Sequence, residues 1–107
     1  MEQVIFRIRQ RLNDETVTEQ TLSEIAQTIK DRVCLRLGVD EAPKIFESII
    51  VDASVKLYRR MYYEGISSEG DDGLSATFVE DVLNEYGAEF EQYKLNQRSS
   101  TDVLKFI

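Results

Sequence analysis

The chain has no histidine and no tryptophan, one cysteine and one proline. It also has no long apolar run. Each absence removes something. Without histidine, the commonest general base and the commonest metal ligand are both missing. A lone cysteine, Cys34, can close no intrachain disulfide and build no thiolate cluster, and it fits an unexported, reducing setting. No stretch of about 18 apolar residues is present to span a membrane. The opening MEQVIFRIRQ interleaves acid and base with its apolar residues, where a signal peptide would be uninterrupted. Basic residues are few, 13 against 20 acids, for a net charge of −7. A general nucleic-acid binder needs a basic surface to neutralise phosphates, so this balance argues against one while leaving local basic clusters open. The acids are spread along helical faces as solvated surface. Catalysis is therefore not expected, nor is any cofactor or metal.

What is present reads as one ordinary globular domain. Its 107 residues suffice for a real core, and 42% hydrophobic with 31% charged residues is not the composition of a disordered chain. The rhythm is helical almost throughout, so the expected fold is all-α, a small bundle of about four helices with a long central one. Residues 2 to 12 put Val4, Ile5, Ile8 and Leu12 on one face. After the turn-prone NDETVT, Thr18 or Thr21 can cap a second helix, and Thr21 with Glu24 has capping-box spacing. That helix carries Leu22, Ile25, Ala26, Ile29, Val33 and Leu37, and Gly38 is its natural stop. Pro43 suits the first turn of a third helix, over about 43 to 64.

The third helix shows two apolar stripes. Phe46, Ile49, Ile50, Ala53, Leu57 and Met61 form one; Val51, Val55, Tyr58 and Tyr62 form another, roughly opposite. Ser48, Asp52, Lys56 and Arg59 are left a narrow polar sector. Such a helix is either sandwiched within its own domain or shared with a neighbour, and so few helices should not cover every face. Arg59 is expected to make a local surface ion pair, whereas Arg60, at the edge of the main stripe, can pack its stem and pair its head with an acid. A last helix resumes with Phe78, Val82, Leu83, Tyr86, Phe90 and Tyr93, capped by Ser75 or Thr77. Gly87 lies off its stripe, where it can weaken or kink the helix without disturbing the buried face.

Between these helices GISSEGDDGLS, residues 65 to 75, holds three of the five glycines and no hydrophobic rhythm. A Walker-type phosphate loop needs a lysine followed by Ser or Thr, after a strand; here no lysine follows and a helix precedes. An EF-hand loop wants acids at alternating positions and a closing glutamate; Glu69, Asp71 and Asp72 are wrongly spaced. A mobile polar loop without chemistry of its own is what remains. The end, NQRSSTDVLKFI, is polar and then abruptly apolar. Residues 1–94 are thus expected to form the helical domain and 95–107 a tail. Val103, Leu104, Phe106 and Ile107 either dock back on their own core or bind a neighbouring chain.

The stretch YRRMYYEGISSEGDDGLSATFVEDVLNEY resembles the signature region of the phage head-tail connector family, small helical proteins of tailed bacteriophages and prophages. Members show a helix ending in an Arg-rich stretch, an E-G, a serine/acid/glycine loop, a serine, an aromatic and a closing helix. Here these are Arg59 and Arg60, Glu64 and Gly65, the loop with Ser67, Ser68 and Glu69, then Ser75, Phe78 and the helix through Tyr86. Met61-Tyr62-Tyr63 stands where many members are shorter and richer in glycine. Specific likeness covers about thirty residues; the rest matches in architecture. The resemblance implies a structural virion protein. Its copies would form a ring of about twelve under the portal protein at the head-tail interface, after assembly in the bacterial cytoplasm. The ring would extend the DNA channel, let DNA slide through without sequence-specific binding, and present a platform to the next connector or tail-completion protein. A different class remains open: a small helical DNA-binding phage protein, such as a terminase small subunit or helix-turn-helix regulator. Arg7, Arg9 and Arg11, or Arg32 and Arg36, would then contact phosphates.

Overall fold

The computed structural model describes residues 1–13, 16–62 and 76–105, with side chains at all of these except 62, 76 and 98–105. All regular structure among them is helical: α1 (Glu2–Leu12), α2 (Glu19–Leu37), α3 (Glu47–Tyr62), α4 (Ala76–Asn84) and α5 (Gly87–Lys105), with a short 3-10 turn at Lys44–Phe46 before α3. None of these helices is long and apolar enough to cross a membrane.

Local chemistry sets most of the boundaries. α1 ends where Asn13 takes the left-handed conformation (φ 54°), which short polar side chains tolerate, and returns its amide to the Arg9 carbonyl. Thr18 caps α2, its hydroxyl accepting the Thr21 amide at 3.1 Å. Thr21 itself lies inside the helix and is not the cap. Gly38, at φ 72°, closes α2 by donating to the Cys34 carbonyl at 2.8 Å. Pro43 stays extended ahead of the 3-10 turn, so α3 starts later than its proline suggests.

The single last helix expected from periodicity is two. α4 stops at Asn84, and Glu85 and Tyr86 turn back with amides to Val82 and Leu83, at 3.1 and 3.0 Å. Tyr86 swings its ring inward, 7% exposed, and its hydroxyl donates to Asp52 on α3. That tertiary bond, flanked by two weak helix formers in Asn84 and Gly87, breaks the run. α5 then continues to Lys105, straight through position 94/95.

α3 packs on α1, α2 and α4. At about 100° per residue, its buried positions from Ala53 and Leu57 through Ser54 to Val51 and Val55 cover roughly 200° of the circumference. The two stripes are therefore one broad face, covered from both flanks within the subunit. α4 and α1 close opposite sides of that face while α2 lies beneath; Ile49, of the first stripe, stays half-buried at a groove beside α5, and the side chain of Tyr62 lies outside the described residues. Fully buried Ile8, Leu22, Ile25, Ile29, Val33, Leu57 and Leu83 form the centre.

α1 runs parallel to α3, since Arg7 pairs with Glu47 at 2.9 Å and Arg11 with Asp52 at 2.7 Å. α5 runs antiparallel to α3 on the other flank. Tyr86 meets Asp52, whereas Phe90 and Tyr93 meet Phe46, with ring centroids 5.5 and 5.4 Å apart. By Asn96, beside Ile45, α5 has reached the N-terminal end of α3. Its remaining residues to Lys105 run on for about 13 Å.

Candidate interaction surface

The polar sector of α3 is a ridge of linked charges. Asp52 accepts from Arg11 of α1 on one side and from the Tyr86 hydroxyl on the other, and lies 3.5 Å from Lys56. Lys56 reaches Glu85 at 2.6 Å and sits 5.0 Å from the Tyr86 ring centre, placed for a cation–π contact. Arg60 closes the row on Glu85 at 3.4 Å. Burial works to raise the Asp52 pKa, but hydrogen bonds from Tyr86 and Arg11, with the charge of Lys56, hold it below the usual value. Tyr86 is pushed up to about 12, first by burial and then by its bond to the Asp52 carboxylate. Lys56 is raised, chiefly by Glu85. These groups neutralise one another across three elements.

A second clamp joins α2 to α4. Arg36 is ion-paired with Glu80, donates to Asn84 at 3.0 Å, and lies 5.6 Å from the Phe90 ring centre. Arg32 stands 3.7 Å from the same glutamate. Arg9 donates to the Val17 carbonyl at 3.0 Å. Four of the five arginines considered for phosphate contact are thus ion-paired within the subunit. Burial raises the thiol pKa of Cys34, the opposite of what a reactive cysteine needs.

The residues singled out by the signature are placed as follows. Arg59 is exposed and makes no ion pair among the described residues. Arg60 is half-buried and paired. Phe78 is half-buried against the core. Val103 and Leu104 fall on α5. Glu64, Gly65, Ser67, Ser68, Glu69, Ser75, Phe106 and Ile107 lie outside the described residues.

Compared with known proteins, the chain matches no family model, no curated protein and no solved structure. The surface has to be read from its own residues.

Among the described residues five large apolar side chains are exposed: Met1, Phe6, Leu35, Ile45 and Leu95. Phe6 on α1 is 59% exposed, and Ile45, in the 3-10 turn, is 73% exposed. Beside Ile45 a groove of about 210 Å³ opens between the start of α3 and α5, floored by Phe46, Ile49 and Tyr93 and rimmed by Glu89 and Gln92. A signal existed for both: each is a large apolar residue off its helix's core stripe. Such residues lie outside the periodic stripe, and it is these misfits that reach the surface.

Proposed function

We propose that this chain is a structural subunit of a phage head-tail connector, a ring beneath the portal that extends the DNA channel toward the tail. The observation that carries the reading is the likeness of residues 58–86 to that family's signature. Two structural features support it. Arg60 and Glu85, from opposite ends of the signature stretch, are paired, so the flanking helices α3 and α4 are held together across it. α5 extends past the end of α3, giving the chain an arm of the sort that can reach a neighbouring subunit or the portal; the chain measures 55 Å along its longest axis against 19 Å along its shortest.

The DNA-binding alternative is disfavoured by the same geometry. Arg7, Arg11, Arg32 and Arg36 are paired with Glu47, Asp52 and Glu80, so among the described residues these arginines form no bare row to track a phosphate backbone. With a charge of −7 on each subunit, a channel wall would repel sliding DNA rather than grip it.

The portal protein encoded in the same genome provides the test. Mixed with this chain at physiological salt, it should co-sediment with it as a stoichiometric complex, while duplex DNA mixed with the chain alone should stay unbound. Salt-sensitive DNA binding without portal binding would replace the connector reading with the regulator one.

A further inference from the structure

The groove beside Ile45 and the overrun of α5 lie at the same end of the molecule. One wall of the groove is α5 itself, from Glu89 to Asn96, and Ile49 and Phe46 face it. α5 then passes the groove and runs on to Lys105, so Val103 lies about 10 Å beyond Asn96 along the helix axis. A helix that continues straight cannot turn back onto its own wall. The groove of each subunit is therefore left uncovered by that subunit's own overrun, with Ile45 73% exposed and Leu95 51% exposed beside it.

The two features match in chemistry. Residues 102–107 read DVLKFI, four apolar residues of six, with Lys105 the one basic group among them. The groove is apolar at Ile45, Phe46, Ile49 and Tyr93, and its one carboxylate, Glu89, is exposed and makes no ion pair among the described residues. An apolar segment with one ammonium stands beside an apolar groove with one free carboxylate, and within a subunit they cannot meet.

We propose that residues 103–107 of one copy cover the Ile45–Ile49–Tyr93 groove of a second copy, and that the exchange is mutual. Because arm and groove share one end, two copies meeting there with their α5 helices antiparallel seat both arms at once, an isologous contact that closes at two. Charge sets the register. Placing Lys105 opposite Glu89 centres the antiparallel pair on Gln97 and brings Val103 and Leu104 alongside the Glu89–Tyr93 wall. A two-fold pair does not tile a ring, so this contact belongs to the free chain and stands apart from the connector reading.

Sedimentation of the full chain and its variants tests it. Wild-type chain should pass from monomer to dimer as concentration rises and form nothing larger. Truncation after Thr101 removes the arm and Ile45→Glu obstructs the groove, at an exposed position. Each should weaken the dimer by about tenfold or more, apolar burial being the main contribution removed, while the circular-dichroism melt stays in place. Lys105→Glu and Glu89→Lys should each weaken it by about threefold, and the double variant, which remakes the pair with its signs exchanged, should recover it. A wild-type chain still monomeric at millimolar concentration overturns the contact, as does association beyond the dimer. So does a truncated or Ile45→Glu chain that dimerises like wild type, or a double variant no stronger than its single parents. A truncation that lowers the melt overturns it too, by showing the arm docked on its own subunit. Those outcomes leave the connector reading standing, because portal binding decides it separately.

Discussion

Asp52 joins three parts of the chain, taking Arg11 from α1, Lys56 from its own helix and the Tyr86 hydroxyl from the turn after α4. Its lowered pKa means the carboxylate stabilises the fold fully above the ordinary value near 3.8, a contribution lost as pH falls through the lower folded value. Tyr86 works in the other direction. Its pKa is raised from 10.0 to about 12, so the neutral phenol stabilises the fold below pH 10 and that contribution fades as pH climbs toward 12. Asp52→Asn should cost about 1–2 kcal/mol near neutrality and flatten the acid limb of a melting-temperature profile. Tyr86→Phe should flatten the alkaline limb and move the acid limb upward, since one donor that lowers the Asp52 pKa is gone. Unchanged limbs in both variants would mean the ridge is ornamental. Ser54 is the opposite case. Its hydroxyl is fully buried at the middle of the broad face of α3 and has no hydrogen-bond partner among the described residues. Ser54→Ala should therefore be neutral or stabilise by up to about 1 kcal/mol; a loss of stability in thermal melts would reveal a partner for that hydroxyl.

The elements respond to glycine in opposite senses. Gly87 opens α5 with ordinary backbone angles and nothing within 4 Å of an added Cβ, so Gly87→Ala should stabilise by about 0.5–1 kcal/mol. Gly38 has equal space but a left-handed φ, and Gly38→Ala should destabilise by about 1 kcal/mol. Equal melting shifts would contradict this assignment of the two roles. α5 is the arm of the proposed function. Truncation after Thr101 should leave the circular-dichroism melt nearly unchanged while abolishing assembly; a drop in melting temperature with aggregation would show that the end docks on its own subunit. The sequence was legible where one helix face met one partner. α1 and α2 show their stripes and caps openly. α3 misleads because a face of roughly 200° projects as two stripes, and nothing local says that two flanks of the same chain cover it. The break at Glu85–Tyr86 is illegible for a related reason: Tyr86 fits the helical stripe, and its bond to Asp52, thirty-four residues earlier, cannot be read locally. Arg60 and Phe78 could be singled out from the signature, but their partners could not. Phe6 and Ile45 were visible as misfits and passed over.

At the scale of the molecule, the internal ion pairs and the unpaired residues divide the work. Arginines bonded to Glu47, Asp52 and Glu80 hold helices together and are spent on the fold. What remains outward is Phe6 on α1, the groove beside Ile45, the carboxylates of Asp81, Glu89 and Glu91, and a helix that overruns the body. Those features fit the proposed role in contact with protein. If the connector reading holds, the most direct measurement deletes this gene from a tailed phage or prophage genome that encodes it and supplies the chain in trans. The deletion strain should accumulate filled heads that leak DNA and lack tails. Wild-type chain should restore joined particles, with its density in a ring between portal and tail. Infectious, tailed particles from the deletion strain, or a restored virion with no such density, would contradict the account.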